Sequence, residues 1–216
     1  MEKYTGIVGK ELLMKTVLFT QRVEIIENYH ERRDCADQRI SDFIMACGFL
    51  PVPVPNNIHI AKALVDELEP IGIILTGGNS LAEFGGNAPE RDAVDEQLIQ
   101  ISIERNIPLY GFCRGMQSIL VYFGNKLTSV VGHVAVRHAL VGNMEREVNS
   151  YHNQGCVWLD TNSGLECIAC TEDGVIESVI HKDYPIYATM WHPEREEKFS
   201  QSDVENVRKL FLEERK

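Results

Sequence analysis

The chain has 216 residues and a mass of 24.5 kDa, which suits one domain that buries a core without disulfides or structural metal. Hydrophobic residues make up 44% of the chain and charged residues 25%, which excludes wholesale disorder. The 21 basic and 32 acidic residues give a net charge of −11, so neither a general nucleic-acid binder nor a binder of anionic membranes is expected.

The sequence predicts a protein of the reducing cytoplasm. Residues 1–16 lack a cationic segment followed by an apolar stretch, and no apolar run approaches the roughly 18 residues of a membrane span. The six cysteines are too widely spread for a disulfide framework. Because residues 1–13 fit no strand or helix of the predicted core, we expect an N-terminal extension there and a single domain over residues 14–216.

Strand and helix patterns alternate through the first 124 residues. Apolar runs predict strands over residues 16–20, 49–54, 71–75 and 108–111. Apolar residues at helical spacing predict helices over residues 33–47, 58–68 and 91–106. Three prolines, Pro51, Pro53 and Pro55, place the second of these strands at the edge of the sheet.

This order predicts an α/β fold, a doubly wound and mainly parallel sheet with helices on both faces. From residue 126 to residue 190 the pattern changes to short β-like runs separated by Gly, Asn and Asp, which predicts a small antiparallel β addition. The runs cover residues 134–141, 156–159, 167–171, 175–180 and 186–190. An amphipathic pattern predicts a closing helix over residues 201–215. Ligands of such sheets bind at the carboxyl ends of the strands.

The most informative motif is G-x-C-x-G at residues 111–115, where a strand ends and a helix begins. It is the cysteine counterpart of the strand-to-helix turn that exposes a nucleophile. The two glycines allow a strained turn in which the backbone approaches neighbouring chain too closely for a Cβ. The helix N-terminus lowers the pKa of the Cys113 thiol, and the N–H of Arg114 points toward a developing oxyanion. A buried structural cysteine is the alternative for this motif alone.

Two other motifs belong to the same predicted edge of the sheet. His192 and Glu194 flank a proline directly after the strand predicted over residues 186–190. A thiol nucleophile needs a histidine to accept its proton, and that histidine needs an orienting carboxylate. A glycine pair at residues 77–78 follows another strand, and its free N–H groups are suited to bind an oxyanion.

Together and in this order, the three motifs resemble those of the class I glutamine amidotransferase superfamily, and the resemblance covers residues 16 to 194. It implies a flavodoxin-like amidotransferase fold and a catalytic triad of Cys113, His192 and Glu194. It also implies an oxyanion hole from the amides of Gly78 and Arg114, and a γ-glutamyl pocket lined by Gln117. The implied reaction is attack on a γ-glutamyl amide, release of the amine and hydrolysis of a γ-glutamyl thioester.

Two segments resemble the hydrolase branch of this superfamily more than its ammonia-supplying subunits. Residues 91–99 are similar to an Arg-Asp helix of that branch, and residues 148–154 match its Val-Asn-Ser-x-His-x-Gln segment. The second match implies that four residues contact the glutamyl α-amino and α-carboxyl groups: Asn149, Ser150, Tyr151 and His152. A glutaminase subunit that delivers ammonia to a synthase remains an alternative. A non-catalytic γ-glutamyl-binding protein is another, disfavoured because it would not need all three triad residues.

A narrower resemblance concerns residues 32–40 and 48–56, which look like those of the small group linked to bacterial capsule phosphoramidate biosynthesis. There the implied substrate is γ-glutamyl-CDP-amidate, a diphosphate that requires local positive charge. The candidates for that charge are Arg22, Arg32, Arg33, Arg137 and His138. Solvated or paired surface residues are the alternative interpretation of most of them.

No metal or cofactor is predicted. His133 and His138 lie five residues apart in a strand-like run, so the strand period puts them on opposite faces and argues against a metal site with His152. Cys167 and Cys170 are interpreted as core residues rather than a metal or redox pair. The expected partner is a small γ-glutamyl molecule, without nucleic acid or membrane. A synthase partner and a homo-oligomer stay open.

Overall fold

A computed structural model describes residues 14–213 of the chain, so the extension predicted over residues 1–13 lies outside the described residues. The strands, numbered in chain order, are β1 (Thr16–Thr20), β2 (Arg22–Ile26), β3 (Glu31–Cys35), β4 (Leu50–Val54), β5 (Gly72–Leu75), β6 (Leu109–Phe112), β7 (Thr128–Ser129), β8 (Val134–Ala139), β9 (Val141–Gly142), β10 (Glu147–Tyr151), β11 (Gln154–Gly155), β12 (Leu165–Cys170), β13 (Ile176–His181) and β14 (Ile186–Thr189). The α-helices are α1 (Gln38–Ala46), α2 (Ile58–Leu68), α3 (Pro89–Arg105), α4 (Arg114–Tyr122) and α5 (Gln201–Leu212).

Eight strands form the central sheet in the order β4-β1-β5-β6-β14-β13-β12-β9. The first five are parallel, and β13, β12 and β9 continue the sheet antiparallel. The predicted doubly wound, mainly parallel sheet is therefore confirmed. The assignment of residues 186–190 to the antiparallel addition is wrong in one respect, because β14 pairs parallel with β6 inside the main sheet.

Helices cover both faces of the sheet, as predicted. Helices α2, α3 and α4 share one apolar core with the sheet, which includes Val65, Leu98 and Ile119. Helices α1 and α5 pack into a second core, where Phe43 and Phe211 are almost completely buried. The strand β4 lies at the edge of the sheet, as its prolines predict. Within residues 14–213, no helix is long and apolar enough to span a lipid bilayer.

The first predicted helix begins later than the sequence pattern suggests. Residues 33–35 belong to β3, which pairs antiparallel with β2 in a small separate hairpin. Helix α1 begins at Gln38 because the side chain of Asp37 accepts a hydrogen bond from the Arg39 amide at 3.0 Å and caps the helix. Helical spacing in this region continues beyond the true helix, so periodicity alone extends the predicted helix into the hairpin.

Two predictions about the cysteine-containing strands are also wrong. Residues 156–159 form no strand; Cys156 makes only an isolated bridge with Ile176. Cys167 is exposed and Cys170 only partly buried, although the sequence predicts both to be core residues. The register of β12 against β13 shifts between Cys167 and Ala169 and again between Ala169 and Cys170, and Ala169 is the buried residue between the two cysteines.

A second small sheet pairs β8 with β10, and it contains a bulge that changes the predicted side-chain pattern. Tyr151 lies opposite Val134 but Ser150 lies opposite Val136, so Ala135 is an extra residue, and its φ is 54°. Because the bulge adds one residue to β8, the alternation of side chains between the two faces of the strand shifts by one position at Ala135. His133 and His138 therefore lie on the same side, with ring centroids 5.0 Å apart, and the prediction of opposite faces is wrong.

Candidate active site

Cys113 lies at a strained turn between β6 and α4. Its backbone has φ 51° and ψ −111°, a conformation that residues with a Cβ rarely adopt. Its N–H donates to the Thr189 carbonyl at 2.9 Å, which ties the turn to the end of β14. A Cβ on Gly115 would lie 2.0 Å from the Leu75 carbonyl oxygen, so glycine is required for the turn to pack against β5.

His192 and Glu194 follow β14 at the same edge of the sheet. The imidazole Nδ1 lies 2.7 Å from the Glu194 Oε1, and both residues are buried. A Cβ on Gly77 would come within 2.6 Å of the His192 Cε1, so the ring packs directly on the glycine backbone. The structure thus brings together the three residues for which the sequence predicts a triad.

The electrostatics of the pair favour a thiolate beside an imidazolium. Burial would raise the pKa of the Cys113 thiol, but the charge and hydrogen bond of His192, together with the Arg114 N–H, outweigh it and lower the pKa. Burial would likewise lower the pKa of His192, but the Cys113 thiolate and the Glu194 carboxylate raise it to about 10. The proton is therefore held on the imidazole, and the sulfur is poised as a nucleophile.

The glycine loop after β5 is held by a buried arginine. The Arg91 guanidinium, fully buried on α3, donates to the carbonyls of Thr76 at 2.7 Å and Gly77 at 2.8 Å. It also donates to the Asn79 Oδ1 at 3.2 Å. Burial and the neighbouring Arg114 lower the pKa of Arg91 to about 9. These contacts fix the loop that carries Gly78, whose φ is 94°.

Arg114 offers only its backbone to the site. Its guanidinium is buried and forms ion pairs with Asp92 and Asp95 on α3, and Ser118 donates to Asp95 at 2.8 Å. The Arg114 N–H is next to the Cys113 sulfur, where it lowers the thiol pKa. The predicted oxyanion donors, Gly78 and Arg114, both line the cavity that contains Cys113.

The cavity beside Cys113 is open to solvent and is lined mostly by polar residues. Its walls include Gln117, Tyr151, His152, Gln154 and Arg195. The Gln117 amide donates to the Gln154 carbonyl at 3.0 Å, and the Arg195 guanidinium stacks over the Tyr151 ring at 4.3 Å. Three of the residues predicted to contact a glutamyl group, Gln117, Tyr151 and His152, are thus at the cavity wall.

Asn149 and Ser150 do not lie at the cavity wall. The Asn149 side chain donates to the His192 carbonyl at 2.8 Å and accepts from the His192 N–H at 2.9 Å. The Ser150 hydroxyl donates to the His133 carbonyl at 2.7 Å. Both side chains are buried in these contacts and neither lines the cavity. Asn149 therefore holds the backbone of His192 in place rather than facing the cavity.

The arginines predicted to bind a diphosphate are paired with carboxylates. Arg22 pairs with Glu24, and the other pairs are Arg32 with Glu90, Arg33 with Glu31 and Arg137 with Glu196. This agrees with the alternative interpretation of most candidates as paired surface residues. The fifth candidate, His138, has its Nε2 at 3.4 Å from the Oε2 of the buried Glu177, without hydrogen-bond geometry. Arg195, which no sequence motif singled out, lines the cavity with a side chain that is about one-third exposed. Its position directly after Glu194 is the signal that could have found it.

The chain matches known proteins along most of its length. The profile described as Glutamine amidotransferase class-I matches residues 26–212. A γ-glutamyl-CDP-amidate hydrolase of Campylobacter jejuni is 32% identical over 189 residues, which cover 82% of this chain and 88% of that protein. The chain belongs to the class I glutamine amidotransferase family.

Two further matches are consistent with this family. A γ-glutamyl-γ-aminobutyrate hydrolase of Escherichia coli is 28% identical, and the match covers 70% of this chain and 75% of that protein. A protein of Thermoplasma acidophilum described as a GMP synthase subunit has the same fold, with a TM-score of 0.67 at 20% identity over 91% of this chain and 92% of the other. The chain is accordingly an enzyme of the γ-glutamyl hydrolase and glutamine amidotransferase type, acting on carbon–nitrogen amide bonds.

The lowered pKa of Cys113 predicts its alkylation profile. A lowered pKa keeps the thiolate present as the pH falls, so iodoacetamide should label Cys113 at a pH where an ordinary thiol reacts slowly. In a His192→Gln variant the imidazole's charge is gone while burial remains, and the profile should move to higher pH by about one unit or more. Timed labelling and mass spectrometry of the Cys113 peptide measure this, with buried Cys156 as the internal comparison. An unchanged profile in the variant would contradict the ion pair.

The two hydrogen bonds of Asn149 to the His192 backbone predict a kinetic signature. Asn149→Ala should lower kcat on a γ-glutamyl amide by about tenfold or more with little change in KM, because the imidazole loses its placement. Steady-state kinetics measure kcat and KM separately, with Asn143→Ala on the exposed surface as the matched control. A rise confined to KM would instead support the substrate contact that the sequence resemblance implies.

Proposed function

We propose that this chain hydrolyses γ-glutamyl amide bonds through a γ-glutamyl thioester on Cys113. The observation that carries the proposal is the thiol at the strained turn beside His192, whose Nδ1 meets Glu194 at 2.7 Å. In this proposal Cys113 is the nucleophile, His192 the proton acceptor and donor, and Glu194 the carboxylate that orients the imidazole.

In the first half of the reaction the Cys113 thiolate attacks the γ-carbonyl carbon of the substrate. The N–H groups of Gly78 and Arg114 bind the oxyanion that forms, at a loop and a helix start held by the two buried arginines. The protonated His192 gives its proton to the amide nitrogen as the carbon–nitrogen bond breaks. The amine leaves, and the glutamyl group remains as a thioester.

In the second half, neutral His192 accepts a proton from water, and the hydroxide formed attacks the thioester carbonyl. The same two N–H groups bind the second oxyanion. Its collapse breaks the carbon–sulfur bond, which releases glutamate and restores the thiolate beside the imidazolium. Gln117, Tyr151 and His152 at the cavity wall are the proposed contacts of the glutamyl moiety.

The substrate we propose is γ-glutamyl-CDP-amidate, cleaved to glutamate and cytidine diphosphoramidate for capsular polysaccharide modification. Two observations support it: the 32% identity to the Campylobacter hydrolase along most of both chains, and the guanidinium of Arg195 at the cavity wall. A guanidinium binds phosphate oxygens in a bidentate manner, and its pairing with Glu194 is loose, with Nε 3.8 Å from Oε1.

The alternative is a glutaminase subunit that supplies ammonia to a synthase. A GMP synthase of Finegoldia magna is 26% identical over a match that covers 73% of this chain but only 30% of that protein. The two functions differ in the leaving group of the substrate. Ammonia needs no binding pocket, whereas a nucleotide leaving group provides binding energy remote from the scissile carbonyl.

The substrate preference tests the proposal. We expect kcat/KM on γ-glutamyl-CDP-amidate to exceed that on glutamine by about a hundredfold or more, because remote contacts position the scissile carbonyl. Coupled glutamate release measures both rates, and Cys113→Ala, which should retain the fold, gives the uncatalysed background. Similar rates on both substrates would favour the glutaminase subunit, and full activity of Cys113→Ala would reject the covalent mechanism.

Arg195 provides a second, independent prediction. Arg195→Ala should raise KM for γ-glutamyl-CDP-amidate about tenfold, equivalent to about 1.4 kcal/mol, and leave KM for glutamine nearly unchanged. The matched control is Arg33→Ala, since that guanidinium pairs with Glu31 on the exposed hairpin away from the cavity. An equal rise in KM on both substrates would indicate that Arg195 acts on the neighbouring triad residues and does not bind the diphosphate.

A further inference from the structure

A cluster of two imidazoles and a carboxylate lies outside the catalytic triad. His133 precedes β8, His138 is near the end of β8, and Glu177 is on β13. Each of the three offers a ligand atom, and these atoms all lie within 4.8 Å of one another. His133 and Glu177 are buried, and His138 is partly buried. Such side chains are rarely enclosed together without a proton or a cation to bind them.

Three atoms of this cluster lack a hydrogen-bond partner among residues 14–213: His133 Nδ1, His138 Nε2 and Glu177 Oε2. Each belongs to a different member of the cluster. The second ring nitrogen of His133 and the second carboxylate oxygen of Glu177 do have polar contacts. His133 Nε2 lies 3.0 Å from the Asp173 Oδ2, and His152 Nε2 lies 3.2 Å from the Glu177 Oε1.

The contact with Asp173 also sets the tautomer of His133. A carboxylate only accepts hydrogen bonds, so the proton of a neutral imidazole belongs on Nε2. The Nδ1 atom then presents a lone pair to the cluster. An imidazole whose second nitrogen donates to a carboxylate is the usual arrangement around a bound metal, because the carboxylate fixes the ring and raises its basicity.

The separations fit a tetrahedral ion. Two ligands that each lie about 2.0–2.1 Å from zinc are about 3.3 Å apart at the tetrahedral angle. His138 Nε2 lies 3.4 Å from the Glu177 Oε2, without hydrogen-bond geometry. His133 Nδ1 lies 3.6 Å from Oε1, the other oxygen of the same carboxylate, and the ligand atoms of the three residues all lie within 4.8 Å of one another.

We propose that His133 Nδ1, His138 Nε2 and Glu177 Oε2 bind one divalent transition-metal ion of the zinc type, with solvent as the fourth ligand. Two imidazoles and one carboxylate suit zinc better than magnesium or calcium, which prefer oxygen ligands. A cavity lined by Gly132, Ala139 and Thr171 opens over the cluster and gives solvent and ion access.

The bulge at Ala135 also supports the site. Ala135, between the two histidines, has a φ of 54°, which is unfavourable for a residue with a Cβ. This extra residue is what places both imidazoles on one side of the hairpin.

The proposed ion would join the β8–β10 hairpin to the main sheet. His133 and His138 belong to the hairpin, and Glu177 belongs to β13. The end of β10 leads directly into His152, which lines the catalytic cavity and contacts the other oxygen of Glu177. The ion is thus proposed as a structural link behind one wall of the cavity, separate from the reacting atoms.

Metal binding to the purified chain tests the proposal. After treatment with a chelator and removal of the chelator, calorimetric titration with zinc should give one equivalent bound with a micromolar or tighter Kd. His138→Ala should weaken binding by at least about tenfold, and zinc should raise the Tm of the wild-type chain but not of this variant. The control is His59→Ala, an exposed histidine on α2, which should bind zinc as the wild-type chain does.

Cobalt substitution separates this site from the cysteines. Co²⁺ bound to imidazole and carboxylate should give visible d–d bands without a thiolate charge-transfer band, and His138→Gln, which preserves side-chain size, should abolish the d–d bands. Substoichiometric zinc binding by the wild-type chain would overturn the proposal. So would wild-type-like binding by both His138 variants, or a thiolate band that disappears in Cys167→Ser, since zinc would then bind at cysteine.

Discussion

The parallel pairing of β6 with β14 places the thiol and the imidazole at one edge of the sheet. Thr189 lies opposite Phe112 in this pairing, and the next residue, Cys113, donates its N–H to the Thr189 carbonyl at 2.9 Å. The Thr189 hydroxyl also lies 2.7 Å from the Tyr110 hydroxyl in the buried sheet. Since a one-residue slip would turn every side chain of β14 to the other face, the strand register sets the distance between Cys113 and His192.

Two buried arginines hold the rest of the site against this pair of strands. Removing a guanidinium from water costs several kcal/mol unless its charge is compensated and its donors find acceptors. The charge of Arg114 is neutralised by Asp92 and Asp95 on α3. Arg91 instead donates to main-chain carbonyls of the loop before Gly78. Helix α3 therefore holds both the glycine loop and the turn at Cys113, although none of its residues lines the cavity beside Cys113.

Local patterns in the sequence predict the elements that are locally determined. The helix over residues 58–68 agrees at both ends with the structure, and the nucleophile turn and His192 lie where the motifs indicate. What fails depends on partners distant in sequence. Residues 33–35 are a strand only because β2 pairs with them, and the bulge at Ala135 is visible only in the register with β10. The amide of Asn149 could be identified in sequence, but its hydrogen bonds to a histidine that follows another strand could not.

The dependence of the thiol on strand pairing has a consequence for the order in which the protein is made. Cys113 is synthesised well before His192, and a chain without β14 has neither the imidazolium nor the completed turn that lowers the thiol pKa. A nascent or unfolded chain therefore carries Cys113 as a thiol of ordinary reactivity. The lowered pKa of the Cys113 thiol therefore arises only when β14, the last parallel strand, joins the sheet and brings His192 beside the sulfur.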